Sequence, residues 1–358
     1  MIETYPKFTV AAVQASSVIF DKDKSMDKAV RLIEEAADKG AVIIGFPELF
    51  IPGHLGMWYV SRKTNPMRLE RKLYVELLKN GIKVPSLEVD RLCAAAKKAH
   101  AYVVMGINEV DNLYSGTMYM SQLFISDTGE LMAVHRKLVA TGIEKLFYTT
   151  GDGSYFDVID TRYGKISAMS CGEHFNSLFK LALLGMGTQI HIAGWPSFGF
   201  YPDPIDFNVR QFAYEGKIFV INSLGVTDKQ NMEVYSETPG EAEKFAGTKG
   251  GGSSIIGPNG EYLAGPVRDI ETIVTAEISL EDILPNKMEV NLLGHYTRWD
   301  ILSLNFNRER RSLIKNVPTG TSSVNLSPDL QAVKEKIQEI SGKLDSIIEN
   351  GKRRKLKN

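Results

Sequence analysis

Short apolar runs alternate with amphipathic segments along much of the chain, and this alternation is what most limits how the chain can fold. Apolar runs at 8–14 and 41–46 flank a segment at 25–39 whose apolar residues recur every three or four positions, and the rhythm returns at 165–171 and 176–185. Strands that alternate with helices are typical of a sheet covered by helices. The sequence therefore predicts an α/β fold with two similar halves.

Charge and hydropathy narrow the class of partner. The 358 residues include 42 Lys plus Arg and 43 Asp plus Glu, which gives a net charge of −1. A near-neutral chain lacks the field of a general nucleic-acid binder, and no apolar run is long enough for a membrane span. The first ten residues have no basic segment followed by a long apolar one, so we expect no secretory signal and a cytoplasmic location. A small-molecule partner is favoured over nucleic acid or membrane.

The two cysteines, Cys93 and Cys171, are too few for a disulfide framework or a cysteine-rich metal site. Cys93 lies inside a helical pattern, where a thiol usually fills the core. Cys171 ends the apolar run at 165–171 and precedes a helical pattern. At such a turn the helical amides favour a thiolate, although this position alone leaves structural and catalytic roles equally open.

Two further strand ends carry groups that a nucleophilic cysteine needs, namely a base and a cation or amide to stabilise new negative charge. Glu48 follows the apolar run at 41–46, and Lys137 follows the run at 131–135. Partial burial would raise the pKa of the Glu48 carboxyl toward that of a working base. Either residue alone would be an ordinary surface group, but three such residues at three strand ends indicate a site.

Several motifs around these residues resemble those of the nitrilase, or carbon-nitrogen hydrolase, superfamily, over residues 8–305. The motifs are FPELFIPG at 46–53, HRKL at 135–138 followed by TG and Glu144, GDGS at 151–154, CGEH at 171–174 and GHYTRWD at 294–300. The GDGS and GHYTRWD segments are similar to the nitrilase branch in particular. The chain is thus identified as a candidate nitrilase.

The resemblance implies a reaction and roles for five residues. Glu48 would be the general base, Lys137 the stabilising cation and Cys171 the nucleophile, while Glu144 would orient Lys137 and the backbone amide of Gly172 would serve in the oxyanion hole. An organic nitrile would be hydrolysed to its carboxylic acid and ammonia through a thioimidate and a thioester. The same residues would also serve an amidase, a carbamoyl hydrolase, or a cyanide-hydrolysing or hydrating enzyme, and a catalytically idle scaffold is a further alternative.

Two departures from the family pattern bear on the substrate. This chain has Gly172 and His174 where Trp and Asn are usual after the cysteine, and His54 where Tyr is usual after the glutamate segment. Replacing an indole by glycine would open or reshape the wall beside the sulfur. Positions that would line the pocket, with core packing as the alternative for the aromatic ones, are Trp58, Tyr59, His174, Trp195 and Pro196.

Metal and cofactor sites are not expected, because the histidines show no ligand spacing such as His-x-x-x-His. The resemblance implies an α-β-β-α sandwich at 1–305 that forms a homodimer or a larger spiral homo-oligomer. Residues 306–358 would be an extension comprising a linker and an amphipathic helix from 327. The apolar face of this predicted helix fits packing either against its own domain or against another subunit. A glycine-rich polar segment at 227–252 is predicted to be a loop.

Overall fold

A computed structural model describes residues 5–54, 66–197, 202–228 and 250–312, together with Glu233, Gly240, Glu243 and Lys336. The chain divides into two compact units, Met1–Arg310 and Arg311–Asn358. Nearly all of the second unit lies outside the described residues, as do the predicted helix from 327, apart from Lys336, and most of the predicted loop at 227–252. The domain boundary at 305/306 therefore stays a prediction.

Strands and helices alternate as the apolar pattern predicts. The described helices are α1 (Lys22–Asp38), α2 (Pro66–Asn80), α3 (Leu87–Ala99), α4 (Ser177–Gly185), α5 (Pro202–Gly216) and α6 (Ile283–Glu289). The described strands are β1 (Phe8–Gln14), β2 (Ala41–Gly45), β3 (Tyr102–Val110), β4 (Met118–Ile125), β5 (Leu131–Arg136), β6 (Ile159–Thr161), β7 (Gly164–Ser170), β8 (Ile190–Trp195), β9 (Phe219–Leu224), β10 (Gly251–Ile256), β11 (Tyr262–Arg268) and β12 (Thr272–Ile278).

The strands form two six-stranded sheets, ordered β12-β1-β2-β3-β4-β5 and β11-β10-β9-β8-β7-β6. Three parallel strands lie inside each sheet, β1, β2 and β3 in the first and β7, β8 and β9 in the second. Antiparallel strands extend each sheet on both sides. The two halves share one arrangement, as the repeated rhythm of the sequence indicates.

β1 shows how the layers pack. Val10 and Ala12 lie between the two sheets, while Ala11 and Val13 lie in the core formed with α1 and α3. A strand covered on both faces is apolar at nearly every position, which is why this run does not alternate with polar residues. α4 and α5 cover the outer face of the second sheet. The predicted α-β-β-α sandwich is confirmed. None of the described helices is long and apolar enough to cross a bilayer.

α2 lies outside the strand–helix alternation that the sequence shows. Its described side chains Leu73 and Leu77, one helical turn apart, are buried in a small cluster with Leu49, Met120 and Ala140. Leu49 follows Glu48, and Ala140 lies three residues after Lys137. The helix therefore packs over the two segments that carry the predicted base and cation.

The directions of the strands explain where the polar residues meet. β5 is antiparallel to β4, and β4 is antiparallel to β3, so β5 runs in the same direction as β2 and β3. The segments that follow β2 and β5 therefore leave the first sheet at the same edge. β7 ends in the facing sheet, immediately before Cys171.

Candidate active site

The loop that carries Glu48 is held against β3. The Phe46 N–H donates to the Val104 carbonyl at 2.9 Å, and the Asn108 N–H donates to the Ile51 carbonyl at 2.8 Å. A Cβ atom at Gly106 would lie 2.2 Å from the Pro47 carbonyl oxygen, so only glycine lets the loop pass this close. The Glu48 side chain is buried as a result.

Lys137 is fixed at its backbone by two neighbouring segments. Its N–H donates to the Met120 carbonyl at 2.8 Å, and its carbonyl accepts from the Gly151 N–H at 2.8 Å. The GDGS segment at 151–154 therefore supports the lysine through the backbone. The Lys137 side chain is fully buried. Since a buried lysine held by two carboxylates loses most of its rotamer freedom, its ammonium is preorganised.

Cys171 sits at the turn between β7 and α4. Its φ is +47°, a conformation that residues with a Cβ rarely adopt and that costs about 1–3 kcal/mol. This backbone conformation turns the chain at Cys171 away from the direction of β7. Its Sγ and one oxygen each of Glu48 and Glu144 all lie within 4.8 Å of one another. The carboxylate, the ammonium and the sulfur from three strand ends thus converge.

A buried ionic network joins these groups. The Lys137 ammonium donates to Glu48 Oε1 at 2.7 Å and to Glu144 Oε2 at 2.9 Å. His54 lies on the other side, with Nε2 3.1 Å from Glu144 Oε1 and 3.6 Å from Glu48 Oε2. The Glu48 Oε2 atom is buried and accepts no hydrogen bond. One carboxylate oxygen therefore remains available to take a proton.

Burial and charge shift the pKa values in this network in opposite directions. Burial raises the pKa of the Glu48 carboxyl, against the pull of Lys137. Burial also raises the pKa of the Cys171 thiol well above its usual range. Burial alone would lower the pKa of Lys137, but Glu48, Cys171 and Glu144 outweigh it and raise that pKa. Burial opposes ionisation of Glu144, yet Lys137 and His54 hold its pKa at about 2. The resting site therefore holds an ammonium, an ionised Glu144 and a thiol that needs a base.

The oxygens of Glu48 and Glu144 and the sulfur of Cys171 are spaced closely enough to surround a metal ion. The Lys137 ammonium already lies at hydrogen-bond distance from both carboxylates and supplies the positive charge that two buried acids require. The absence of a metal stays a prediction.

Gly172 packs against Thr141, in the loop after Lys137. A Cβ atom at Gly172 would lie 2.5 Å from Thr141 Oγ1, too close for any side chain unless the threonine moves. The Thr141 hydroxyl thus stands beside the position where the family pattern has an indole. The Gly172 N–H lies beside the Cys171 sulfur and favours its thiolate.

The structure places three of the predicted pocket residues. His174 is buried behind the cysteine turn and stacks on Trp195, with ring centroids 4.7 Å apart. Trp195 is also fully buried, at the end of β8, and Pro196 follows it. Trp58 and Tyr59 lie outside the described residues. The assignment of these positions to the pocket stays a prediction.

Glu173 has a position that its place in the sequence did not reveal. Its carboxylate accepts from the Leu138 N–H and the Ser170 N–H, both at 2.8 Å, and lies 2.9 Å from His135 Nε2. Burial would raise the pKa of Glu173, but His135 and the two amides lower it. One carboxylate therefore connects the residue after Lys137 to the residue before Cys171.

The sequence profile of carbon-nitrogen hydrolases matches residues 9–286. An aliphatic nitrilase of Rhodococcus rhodochrous is 37% identical over 353 residues, which are 96% of this chain and 94% of that protein. A nitrilase of Bacillus sp. (strain OxB-1) is 35% identical over 88% of this chain and 93% of its own length. An arylacetonitrilase of Aspergillus oryzae is 32% identical over 82% and 90%.

Solved structures agree on the fold. Saccharomyces cerevisiae Nit3, a member of branch 10 of the nitrilase superfamily, has a TM-score of 0.65 at 21% identity, over 81% of this chain and 96% of Nit3. An amidase from Nesterenkonia sp. has a TM-score of 0.59 at 15% identity, over 79% of this chain and 94% of the amidase. At these identities the likeness concerns the fold alone.

Proposed function

The chain belongs to the carbon-nitrogen hydrolase family and to its nitrilase branch, and from that membership we propose that it hydrolyses organic nitriles to carboxylic acids and ammonia. The observation that carries the proposal is the convergence of Glu48, Lys137 and Cys171 at one buried point. The names of the similar proteins, an aliphatic nitrilase and an arylacetonitrilase among them, support the substrate class.

The first half of the reaction forms a covalent intermediate. Because the pKa of the Cys171 thiol is raised, Glu48 takes its proton on the unpartnered Oε2 as the sulfur attacks the nitrile carbon. The new carbon–sulfur bond leaves negative charge on the nitrogen. Lys137 and the Gly172 amide stabilise that charge, and the proton moves to the nitrogen to give a thioimidate.

The second half uses the same groups with water. Glu48 activates a water molecule that adds to the thioimidate, and the tetrahedral adduct expels ammonia to leave a thioester. A second water hydrolyses the thioester and releases the acid and the Cys171 thiol. If the adduct expels the thiol instead, an amide is released, so the acid-to-amide ratio depends on how the adduct is held. Glu144 keeps Lys137 charged and aimed throughout.

The proposal is tested by ammonia release from a panel of small aliphatic, aromatic and arylacetic nitriles and their amides. We expect wild-type enzyme to release ammonia from at least one nitrile and Cys171→Ala to release none. Cys93→Ala is the matched control, because it removes the other cysteine, which is buried in α3 away from the site.

The outcomes separate the alternatives. Hydrolysis of amides but no nitrile would replace the proposal with an amidase or carbamoyl hydrolase. Hydrolysis of inorganic cyanide in preference to the organic nitriles would move the assignment to a cyanide-hydrolysing enzyme. Turnover retained by Cys171→Ala would overturn the nucleophile assignment. Inert wild-type protein whose Cys171 does not label faster than Cys93 with a thiol probe would favour the scaffold.

We also propose that the protein is a cytoplasmic homo-oligomer, a dimer or a larger spiral. Large apolar side chains are exposed on and near α4 and after α6, namely Phe175, Leu178, Trp299 and Leu302. Trp299 lines a groove together with Leu181 and Ala182 of α4, and clustered exposed apolar side chains mark protein–protein contacts. Light scattering on the full chain and on a chain lacking 327–358 tests this assembly. A monomeric full chain would refute the proposal, and an unchanged size after the deletion would show that residues 327–358 do not hold the subunits together.

A further inference from the structure

A line of buried polar groups runs from the sheet to the cysteine turn. Ser167 on β7 and His191 on β8 are paired in register, and Ser167 Oγ lies 2.8 Å from His191 Nδ1. His191 Nε2 lies 3.0 Å from His174 Nε2, and His174 Nδ1 lies 2.9 Å from the Cys171 carbonyl oxygen. The three side chains are fully buried. None of them takes part in the reaction steps above.

The direction of every hydrogen bond in this line is determined by its last acceptor. A carbonyl oxygen only accepts, so His174 must carry its proton on Nδ1. Burial lowers the pKa of His174 to about 4 and that of His191 well below its usual value, so both rings are neutral near pH 7. The bare Nε2 of His174 then accepts from His191, whose bare Nδ1 accepts from the Ser167 hydroxyl.

The carbonyl at the end of the line belongs to the peptide that joins Cys171 to Gly172. A peptide is planar and trans, so its C=O and N–H point in opposite directions and turn together. A donor that holds the Cys171 carbonyl therefore also aims the Gly172 N–H. Cys171 has a positive φ, which a residue with a Cβ disfavours, so contacts with the rest of the fold are needed to keep the backbone of this turn in place.

We propose that His174, held by His191 and Ser167, is a positioning residue that aims the Gly172 amide at the nitrogen or oxygen that gains charge in the reaction. This proposal rests on the proposed function, in which Gly172 supplies that amide. The histidine is anchored on two strands and stacked on Trp195, so its Nδ1–H is fixed relative to the sheet. The aim of the amide thus depends on residues in β7 and β8.

Two substitutions at His174 separate hydrogen bonding from packing. His174→Phe keeps a ring of similar size against Trp195 but removes the donor, while His174→Asn loses the ring but keeps an N–H that can reach the carbonyl. We expect His174→Phe to lower kcat by about 10- to 100-fold with little change in KM, as for a misplaced oxyanion donor. We expect His174→Asn to keep most of the activity.

Alkylation of Cys171 by iodoacetamide serves as a second readout, because that displacement needs the thiolate but develops no charge on a substrate nitrogen or oxygen. In His174→Phe it should fall much less than kcat does. A parallel fall, a normal kcat in His174→Phe, or an equal loss in His174→Asn would overturn the proposal. If His174→Phe does not fold, His191→Phe replaces it. We expect this variant to lose less kcat than His174→Phe would, and an unchanged kcat would refute the positioning role of His174.

The variants are assayed on a nitrile and on its amide in the full-length enzyme. If wild-type enzyme hydrolyses only the amide, the proposed nitrile function fails, and the comparison of His174→Phe with His174→Asn is read on the amide. The tetrahedral adduct of the amide needs the same Gly172 N–H, so the two failures remain distinguishable.

Discussion

Replacing Glu173 by Gln should destabilise the protein while leaving its shape nearly unchanged. The carboxylate accepts two backbone N–H groups at 2.8 Å and faces His135 Nε2 at 2.9 Å. An amide side chain keeps only one acceptor oxygen and presents an NH₂ donor in place of the other. One of the three donors therefore faces another donor in a fully buried position.

The size of the effect follows from these contacts. A buried donor without an acceptor costs about 1–3 kcal/mol. Removing the charge also leaves His135 without its buried counterion, and breaking such a pair from one side costs about 3–5 kcal/mol in total. We therefore expect the free energy of unfolding to fall by about 3–5 kcal/mol. kcat should fall as well, since Glu173 connects the backbone beside Lys137 to the backbone beside Cys171.

Urea unfolding followed by circular dichroism measures this change, and Glu130→Gln is the matched control. Glu130 is exposed, so the same chemical change there should alter stability by less than about 0.5 kcal/mol. A loss at Glu173 as small as that of the control would refute the claim that this carboxylate ties together the segments that carry Lys137 and Cys171.

Three further predictions follow from the site. Gly172→Ala should lower kcat about 10- to 100-fold, because the added Cβ would lie 2.5 Å from Thr141 Oγ1. A second substitution, Thr141→Ala, should restore activity, since the next atom, Thr141 Cβ, lies 3.8 Å away. A double variant without recovered activity would contradict the steric cause. The stability difference between wild type and Glu173→Gln should be largest between pH 4.5 and pH 6.5, the ordinary pKa values of Glu and His. Because the pKa of Glu173 is lowered, its contribution to stability is lost as pH falls below that window, and because the pKa of His135 is raised, its contribution is lost as pH rises above it. A difference in urea midpoints that does not change with pH would be inconsistent with an ion pair. Because burial raises the pKa of Glu48, kcat/KM should fall as pH drops through a value above 4.5, and a profile that stays flat down to 4.5 would argue against Glu48 as the base.

The sequence was sufficient for features that depend on local pattern. The strands Ala41–Gly45 and Gly164–Ser170 are short apolar runs, and Glu48 and Cys171 follow them within three residues. The motifs around Glu48, Lys137 and Cys171 indicated the family, which the comparisons confirmed. Their roles in catalysis remain proposals, and so does the assignment of Trp195 to the pocket.

The contacts that align these residues were set by the packing of two sheets and were not apparent in the sequence. His54 and Glu144 are 90 positions apart, yet they meet because both loops leave the same edge of one sheet. Glu173 joins Leu138, in the loop after β5 of the first sheet, to Ser170 at the end of β7 in the second sheet. His174, in the turn that follows β7, contacts His191 on β8. Periodicity determines which face of a strand is buried, whereas a hydrogen bond requires two atoms to approach within about 3 Å, and that separation is fixed only when the layers pack.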